Sequence, residues 1–379
     1  MLFSEHSKFS AEFLKKLSDL QSDYEKHLKA VEAKPFTHIA KLSDLQALCS
    51  KTNTQKISRV FLVGMGGSSL GCKVLTKILP TPEFIFLDNT DPEFLHRELQ
   101  KIDSNSFFIL SSKSGETIEV LSIAKILIKK TNSPKRFIVI TDNKTSSLGK
   151  LAKEHEISIF GEKTDIPGRF SILSPAGLLP IYYLGGNETF IENIMEGAKS
   201  VKYLDAYNFA CQQYLHYLEG KNITTMFTYC DGLDVFADWY IQLLSESIGK
   251  SKKIGITPTK ASGVKDQHSQ LQLFLDGPDD KFYVFLKRTN SDFDFEIPGE
   301  KHPISSLFNA QYDGVKHVFV ERNKPFFELK FDSLNAFTLG ELLFFFEVKT
   351  AFLGSLFGIN FDDQPAVEGC KKNTLKLLI

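Results

Sequence analysis

The pattern of apolar and polar positions changes rhythm along the chain. Residues 1–55 are polar and lean towards helix, and FLKKLSDLQSDYEKHLKAVEA, from Phe13, carries apolar residues at rough helical spacing. From Arg59 short apolar runs take over: RVFLVG, then FIFLD at Phe84, FFILSS at Phe107, RFIVITD at Arg136 and ISIF at Ile157. Helical patterns lie between them, as in TIEVLSIAKILIKK from Thr117. Short apolar strands alternating with helices predict βαβ units and a parallel sheet. After a Pro/Gly-rich piece, DIPGRFSILSPAGLLP (Asp165–Pro180), the alternation resumes. ITTMFTYC (Ile223), KFYVFLK (Lys281) and KHVFVER (Lys316) predict strands, and DVFADWYIQLLSESIGK, from Asp234, predicts a helix. FDDQPAVEGCKKNTLKLLI, from Phe361, reads as a loop and then a terminal helix.

The fold class expected is α/β, with two doubly wound parallel-sheet domains and a C-terminal helical tail. The expected bounds are 1–195 for N-terminal helices plus the first domain, 196–355 for the second, and 356–379 for the tail. Length agrees, because 379 residues exceed what one core usually holds. The most apolar long stretch, AFTLGELLFFFEVKTAFLGSLFGI from Ala336, is interrupted by Glu341, Glu347 and Lys349, which predicts a buried helix rather than a membrane span. The N-terminus has charge where a signal peptide needs an apolar core.

A formal net charge of −1 offers no basic field for nucleic acid or an anionic membrane, so an anionic substrate needs a local site. Cys49, Cys72, Cys211, Cys230 and Cys370 are scattered, odd in number and without CxxC spacing. Reduced thiols in a cytoplasmic protein are expected, not a disulfide framework or structural zinc.

Two turns offer a local anion site. VGMGGSSLG (Val63–Gly71) comes directly after a strand; its glycines let backbone approach a ligand, and Ser68 and Ser69 open a helix. It lacks the glycine spacing of a dinucleotide fingerprint and the lysine of a Walker loop, and such a turn alone is often just a tight turn. SSKSGETIEV, from Ser111, also joins strand to helix, and Ser112, Ser114 and Thr117 surround its first turn with hydroxyls. The bland alternative is that Ser114 or Thr117 is an N-cap. Two such turns on adjacent parallel strands point to a ligand crevice. Further on, Gln242 and Glu246 lie four apart on one helix face, and His268 comes after Asp266 and Gln267 in a turn. A carboxylate and a histidine suffice for acid–base chemistry on a sugar, though each alone is more often a solvated or structural side chain.

Taken together, GMGGSSLG, SKSGETIE, GRFSILSPAGLLP, ESIGK, DQHSQLQLFLDGP and INFDDQPAVEGCK resemble the glucose-6-phosphate isomerase family, in its order, from about residue 60 to residue 372. The resemblance implies two sugar isomerase domains and reversible conversion of glucose 6-phosphate to fructose 6-phosphate through a cis-enediol, in glycolysis and gluconeogenesis. Gly67 and Ser68 would contact ligand, and Ser112, Lys113, Ser114 and Thr117 would cradle phosphate, Lys113 through its backbone. Arg169 would steady the enediolate oxygen, Gln242 would touch substrate, and Glu246 would shuttle the proton between C2 and C1. His268 and Lys371 would open the sugar ring, and Gln364, seven residues before Lys371, would contact substrate. The family implies no metal or redox cofactor and a homodimer with shared active sites. Glu116, Asp362 and Ala366 depart from the family pattern, and Glu116 would repel phosphate unless turned away. Two alternatives are an isomerase that also accepts mannose 6-phosphate and a non-catalytic sugar-phosphate-binding regulator.

Overall fold

The computed structural model describes residues 2–6, 10–49, 57–79, 82–161, 164–184 and 188–378. Ten strands run in chain order among them: β1 (Leu2–His6), β2 (Arg59–Val63), β3 (Glu83–Leu87), β4 (Ser106–Ser111), β5 (Phe137–Ile140), β6 (Ser158–Phe160), β7 (Ile223–Tyr229), β8 (Thr257–Ser262), β9 (Lys281–Arg288) and β10 (Phe326–Phe331). They form two five-stranded sheets. Contacts divide the chain into two compact units, one of Lys34–Val201 and Asn335–Phe344, the other of Met1–Ala33, Lys202–Leu334 and Phe345–Ile379. The polar N-terminal stretch yields helices Ala11–Ser22, Tyr24–Glu32 and Leu42–Leu48, while residues 7–9 and 50–56 lie outside the described residues.

In the first unit the strand order is β3-β2-β4-β5-β6, parallel throughout. A parallel sheet is covered on both faces, so its strands are apolar at nearly every position instead of at alternate ones. Val60–Val63, Phe107–Leu110 and Phe137–Ile140 are accordingly all buried. Phe108 stacks between Phe61 and Phe137 at centroid distances of 5.3 and 4.6 Å. The helix Ile118–Thr131 covers this layer with Val120, Ile123, Ala124 and Leu127, an i, i+3, i+4, i+7 stripe.

The second unit repeats the order as β8-β7-β9-β10, with β1 added antiparallel to β10. Phe227 pairs in register with Phe285, and both join Tyr283, Phe319 and Phe326 in an aromatic core. The segment KHVFVER is not a strand: it ends the helix Ile304–Glu321, and the strand is Phe326–Phe331. Tyr312, Val315 and Phe319 are buried at i, i+3 and i+7, so helical packing overrides the local β-branched preference.

The apolar stretch from Ala336 is one helix, Ala336–Leu356, and no described helix is long and apolar enough to cross a membrane. Its Lys349 is fully buried and donates to Tyr240 Oη at 2.9 Å, and burial pushes its ammonium well below the usual range. Burial pushes the fully enclosed Glu347 carboxyl well above its usual range, which favours the neutral form.

Candidate functional site

In both sheets the chain reverses winding direction between the first and third strands of the unit, and open α/β sheets bind ligands at the carboxyl ends of such strands. In the first unit those strands are β2 and β4, and the turns at their carboxyl ends are the two serine-rich motifs. After β2 the backbone turns at Gly66, at φ 54°, into a short turn Gly66–Ser68. A Cβ on Gly67 would stand 2.3 Å from the Gly168 carbonyl carbon and 2.7 Å from the Arg169 amide nitrogen. The glycine is what allows the two backbones to touch, which brings Gly67 and Ser68 beside the arginine turn. Arg169 itself is buried, its guanidinium 5.6 Å from the Phe170 ring centre.

After β4, Ser112 Oγ shares a 2.9 Å hydrogen bond with Thr117 Oγ1 and accepts from the Gly115 amide at 3.1 Å. Ser114 Oγ accepts from the Glu116 amide at 3.2 Å. Thr117 occupies the N-cap of Ile118–Thr131, yet its hydroxyl makes no cap bond because it is turned to Ser112. First-turn amides therefore lack their usual side-chain acceptor, and a helix start in that condition favours an anion. Gly115, at φ 68°, holds the tight bend, and a Cβ there would run into Ser146 Oγ at 1.9 Å.

A cleft open to solvent runs beside the two turns; Gly67, Ser68, Ser111, Lys113, Asp142 and Thr164 are among its lining, whereas Ser112, Ser114 and Thr117 are not. The resemblance gives Lys113 a backbone role, and its side chain has another task. Its ammonium donates to the Ile166 carbonyl at 2.5 Å and lies 3.9 Å from Asp142. Asp142 accepts from the Thr164 amide and hydroxyl at 3.2 and 3.1 Å, and burial raises its carboxyl above the usual range despite these bonds. Lys113 and Asp142 thus hold the stretch that leads to Arg169. Glu116, the departure facing the phosphate turn, points away: its carboxylate accepts from the Ser147 amide at 2.9 Å and the Ser147 hydroxyl at 2.7 Å.

The expected acid–base residues lie in the second unit. Glu246 is in the last turn of Asp234–Ile248 and accepts from Gln242 Nε2 at 2.9 Å, so the i, i+4 pair does meet. Gln242 Oε1 is buried with no protein donor, an acceptor that a ligand hydroxyl could satisfy. His268 ends the short turn Lys265–His268 beyond β8 and is exposed, on a loop braced at both sides. Asp266 accepts from the Ser262 amide and the Ser269 hydroxyl at 2.7 and 2.6 Å, and Gln267 donates to Tyr229 Oη at 2.9 Å. Lys371 is exposed on the tail helix Glu368–Leu377, paired with Glu368 at 2.7 Å. Among the described residues no hydrogen bond or ion pair joins His268 to Glu246 or to Lys371. Gln364 leads into the turn Pro365–Val367, which contains Ala366.

Sequence reasoning missed Lys250 and Asp363. Lys250 donates to the Asp363 main-chain carbonyl and to its carboxylate at 3.1 Å, which roots the tail near the end of the Glu246 helix. The signal available was the lysine that closes ESIGK; its partner, 113 positions away, carries no local signature.

The paired doubly wound sheets place the chain in an α/β fold class that solved phosphosugar isomerases share. A glucose-6-phosphate isomerase from Chlamydia trachomatis superposes with a TM-score of 0.82 at 19% identity, over 99% of this chain and 88% of that one. A hypothetical protein from Thermus thermophilus superposes at 0.81 with 26% identity, over the whole of both chains. The chain belongs to the phosphoglucose isomerase family, whose model matches residues 28–277. Similar relatives include glucose-6-phosphate isomerases of Campylobacter jejuni, 36% identical over 82% of this chain and 83% of that protein, and of Methanocaldococcus jannaschii, 35% identical over 84% of each.

Proposed function

We propose that this chain interconverts glucose 6-phosphate and fructose 6-phosphate, serving glycolysis and gluconeogenesis in the cytoplasm. The observation that carries the reading is the turn Ser111–Thr117, whose hydroxyls gather at an uncapped helix start in a member of this family. Ser112, Ser114, Thr117 and the Lys113 backbone hold the phosphate, with Gly67 and Ser68 beside it. Glu246, held by Gln242, removes the proton from C2 and returns it to C1. A proton α to a carbonyl is too weakly acidic for a carboxylate in water, so Arg169 stabilises the oxygen charge that develops as the proton leaves. His268 and Lys371 give and take protons in ring opening, and Gln364 contacts the substrate. The test is a coupled assay for fructose 6-phosphate formed from glucose 6-phosphate. No turnover with retained sugar-phosphate binding would make the chain a regulator, and equal turnover of mannose 6-phosphate would broaden the substrate class.

The working enzyme in this reading is a homodimer with shared sites. Within the second unit, Glu246 ends a helix that runs back from the carboxyl end of β7, so it stands towards the amino ends of the strands. β8 then advances six residues, about 20 Å, before the chain reaches His268 at the opposite end. That separation, together with the exposed imidazole, supports a histidine that serves a neighbour's site. Mixing Glu246→Gln and His268→Ala dimers under subunit exchange is expected to restore activity, because one site of each heterodimer keeps both groups. No recovery despite proven exchange would place both residues in one chain's site.

A further inference from the structure

We propose that Lys250 is a positioning residue for ring opening, clamping the base of the C-terminal tail to the end of the helix that carries Glu246. The proposal rests on the assignment of ring opening to Lys371 and adds the residue that places it. The tail helix Glu368–Leu377 buries none of its side chains, so its own packing fixes little of its position. The segment before it is tied down. The Lys250 side chain is 11% exposed and its ammonium reaches both the carbonyl and the carboxylate of Asp363. Asn360 Nδ2 donates to the other Asp363 oxygen at 3.0 Å, so both carboxylate oxygens are held. The lysine end is largely enclosed and the Asp363 carboxylate is 53% exposed, so the tie draws on the main-chain carbonyl bond as well as on a solvent-screened ion pair. Gln364 is the next residue, and Lys371 lies two helical turns beyond it.

The register makes the clamp specific. Helix Asp234–Ile248 stops at Gly249, whose amide bonds the Ser245 carbonyl at 2.9 Å. Lys250 is the next residue, and its own amide donates to the Ile254 carbonyl at 3.2 Å. The lysine is therefore fixed at its backbone, four residues after Glu246, before its side chain reaches the tail. A displacement at Asp363 is carried along the tail to Lys371. It does not disturb the Gln242–Glu246 pair, which sits one turn earlier in the helix.

The test compares Lys250→Met and Lys250→Arg in the full-length enzyme. Ring opening is read as exchange between the α and β anomers of glucose 6-phosphate by NMR. Binding is read with 5-phosphoarabinonate, an acyclic mimic that needs no ring opening. Lys250→Met is expected to slow anomer exchange and turnover by about tenfold or more, as a small misplacement of a proton donor does, with affinity for the mimic unchanged. Lys250→Arg is expected to restore most of the rate, and hydrogen exchange of residues 365–377 is expected to quicken in the methionine variant alone. Normal anomer exchange in Lys250→Met, where Lys371→Ala slows it, would overturn the clamp, as would a loss that arginine does not recover and that comes with loosening of Asp234–Ile248. Lys371→Ala separates the two readings. If it leaves anomer exchange normal, the assignment of ring opening to the tail fails, while quickened exchange of residues 365–377 in Lys250→Met still reports the clamp.

Discussion

The two sheets share a strand order and differ in the turns at the carboxyl ends of their central strands. In β3-β2-β4-β5-β6 the turns after β2 and β4 are glycine- and serine-rich, and backbone and hydroxyls line the cavity there. In β8-β7-β9-β10 the corresponding positions hold Cys230 after β7 and Lys287 at the end of β9, both buried. Burial raises the Cys230 thiol and lowers the Lys287 ammonium to about 8, and Lys287 is spent on Asn309 Oδ1 at 2.7 Å and the Phe308 ring at 4.1 Å. One switch point carries glycine and hydroxyls beside an open cleft; the other carries buried side chains. The second unit carries its candidate groups elsewhere, on the far turn of a helix, on the loop after β8 and on the tail. Repeating a fold does not repeat a site.

That contrast breaks most sharply at Glu246. Glu246→Gln keeps the shape of the side chain and removes its basicity, so turnover is expected to fall by roughly 10²–10⁴ while phosphate affinity stays level. Exchange of the C2 proton with solvent should fall in step. Near-normal exchange would move the base to another residue, and a matching loss of phosphate affinity would dissolve the division of labour between the units.

A pair of glycines offers the next test. Gly67→Ala forces a methyl against the Gly168 backbone, an overpacking that costs about 1–3 kcal/mol and displaces the turn. Gly232, in the turn after β7, would meet only Leu334 Cδ2, at 2.8 Å, and a side-chain end can move aside. Gly232→Ala is therefore expected to shift stability by less than about 0.5 kcal/mol and to leave sugar-phosphate binding intact. Thermal unfolding and a phosphate titration on both variants decide it, and equal loss of affinity would mean that both switch points bind.

Replacing Ser114 and Thr117 together by Ala sharpens the contrast between a cradle and a cap. Each hydroxyl contributes about 1 kcal/mol when it contacts phosphate, so affinity is expected to drop by about tenfold or more. Thr117 makes no cap bond, so the melting temperature should fall only modestly, through loss of the Ser112–Thr117 and Glu116–Ser114 hydrogen bonds. A lower melting temperature with unchanged affinity would return both residues to a capping role.

How much of this was legible in the sequence depended on range. β2, β4, β5 and β9 contain continuous apolar runs, and the two serine-rich turns announced themselves because a turn's chemistry is local. β8, with sequence TPTKAS, went unread because it is an outer, mostly polar strand held by pairing with β7 rather than by its own pattern. Val318-Phe319-Val320 looked like strand because the deciding partners, Tyr312 and Val315, lie upstream of the run. The ties that shape the site join residues 22, 31 and 113 positions apart: Asp142 with Thr164, Glu116 with Ser147 and Lys250 with Asp363. No periodicity records such pairs.

Glu116 gives the smallest effect. A carboxylate in the phosphate turn would weaken anion binding if it faced the ligand, and removing it would then tighten phosphate. The structure turns it to Ser147, at the start of the helix Ser147–Glu154, and the Ser147 hydroxyl and amide hold its carboxyl below the usual range. A folded-state pKa below the unfolded value means that the charged form stabilises the fold. That contribution is complete above the unfolded carboxylate value, about 4.3, and disappears as pH falls through the lower folded value. Glu116→Ala is thus expected to lower stability by about 0.5 kcal/mol or less at pH 7, since the pair is exposed to solvent. The gap to the unaltered protein should hold down to about pH 5 and close below about pH 4. Phosphate affinity should not change. Unfolding curves across this range, with a phosphate titration at pH 7, check both parts; tighter phosphate binding in the variant would show that the carboxylate faces the ligand after all.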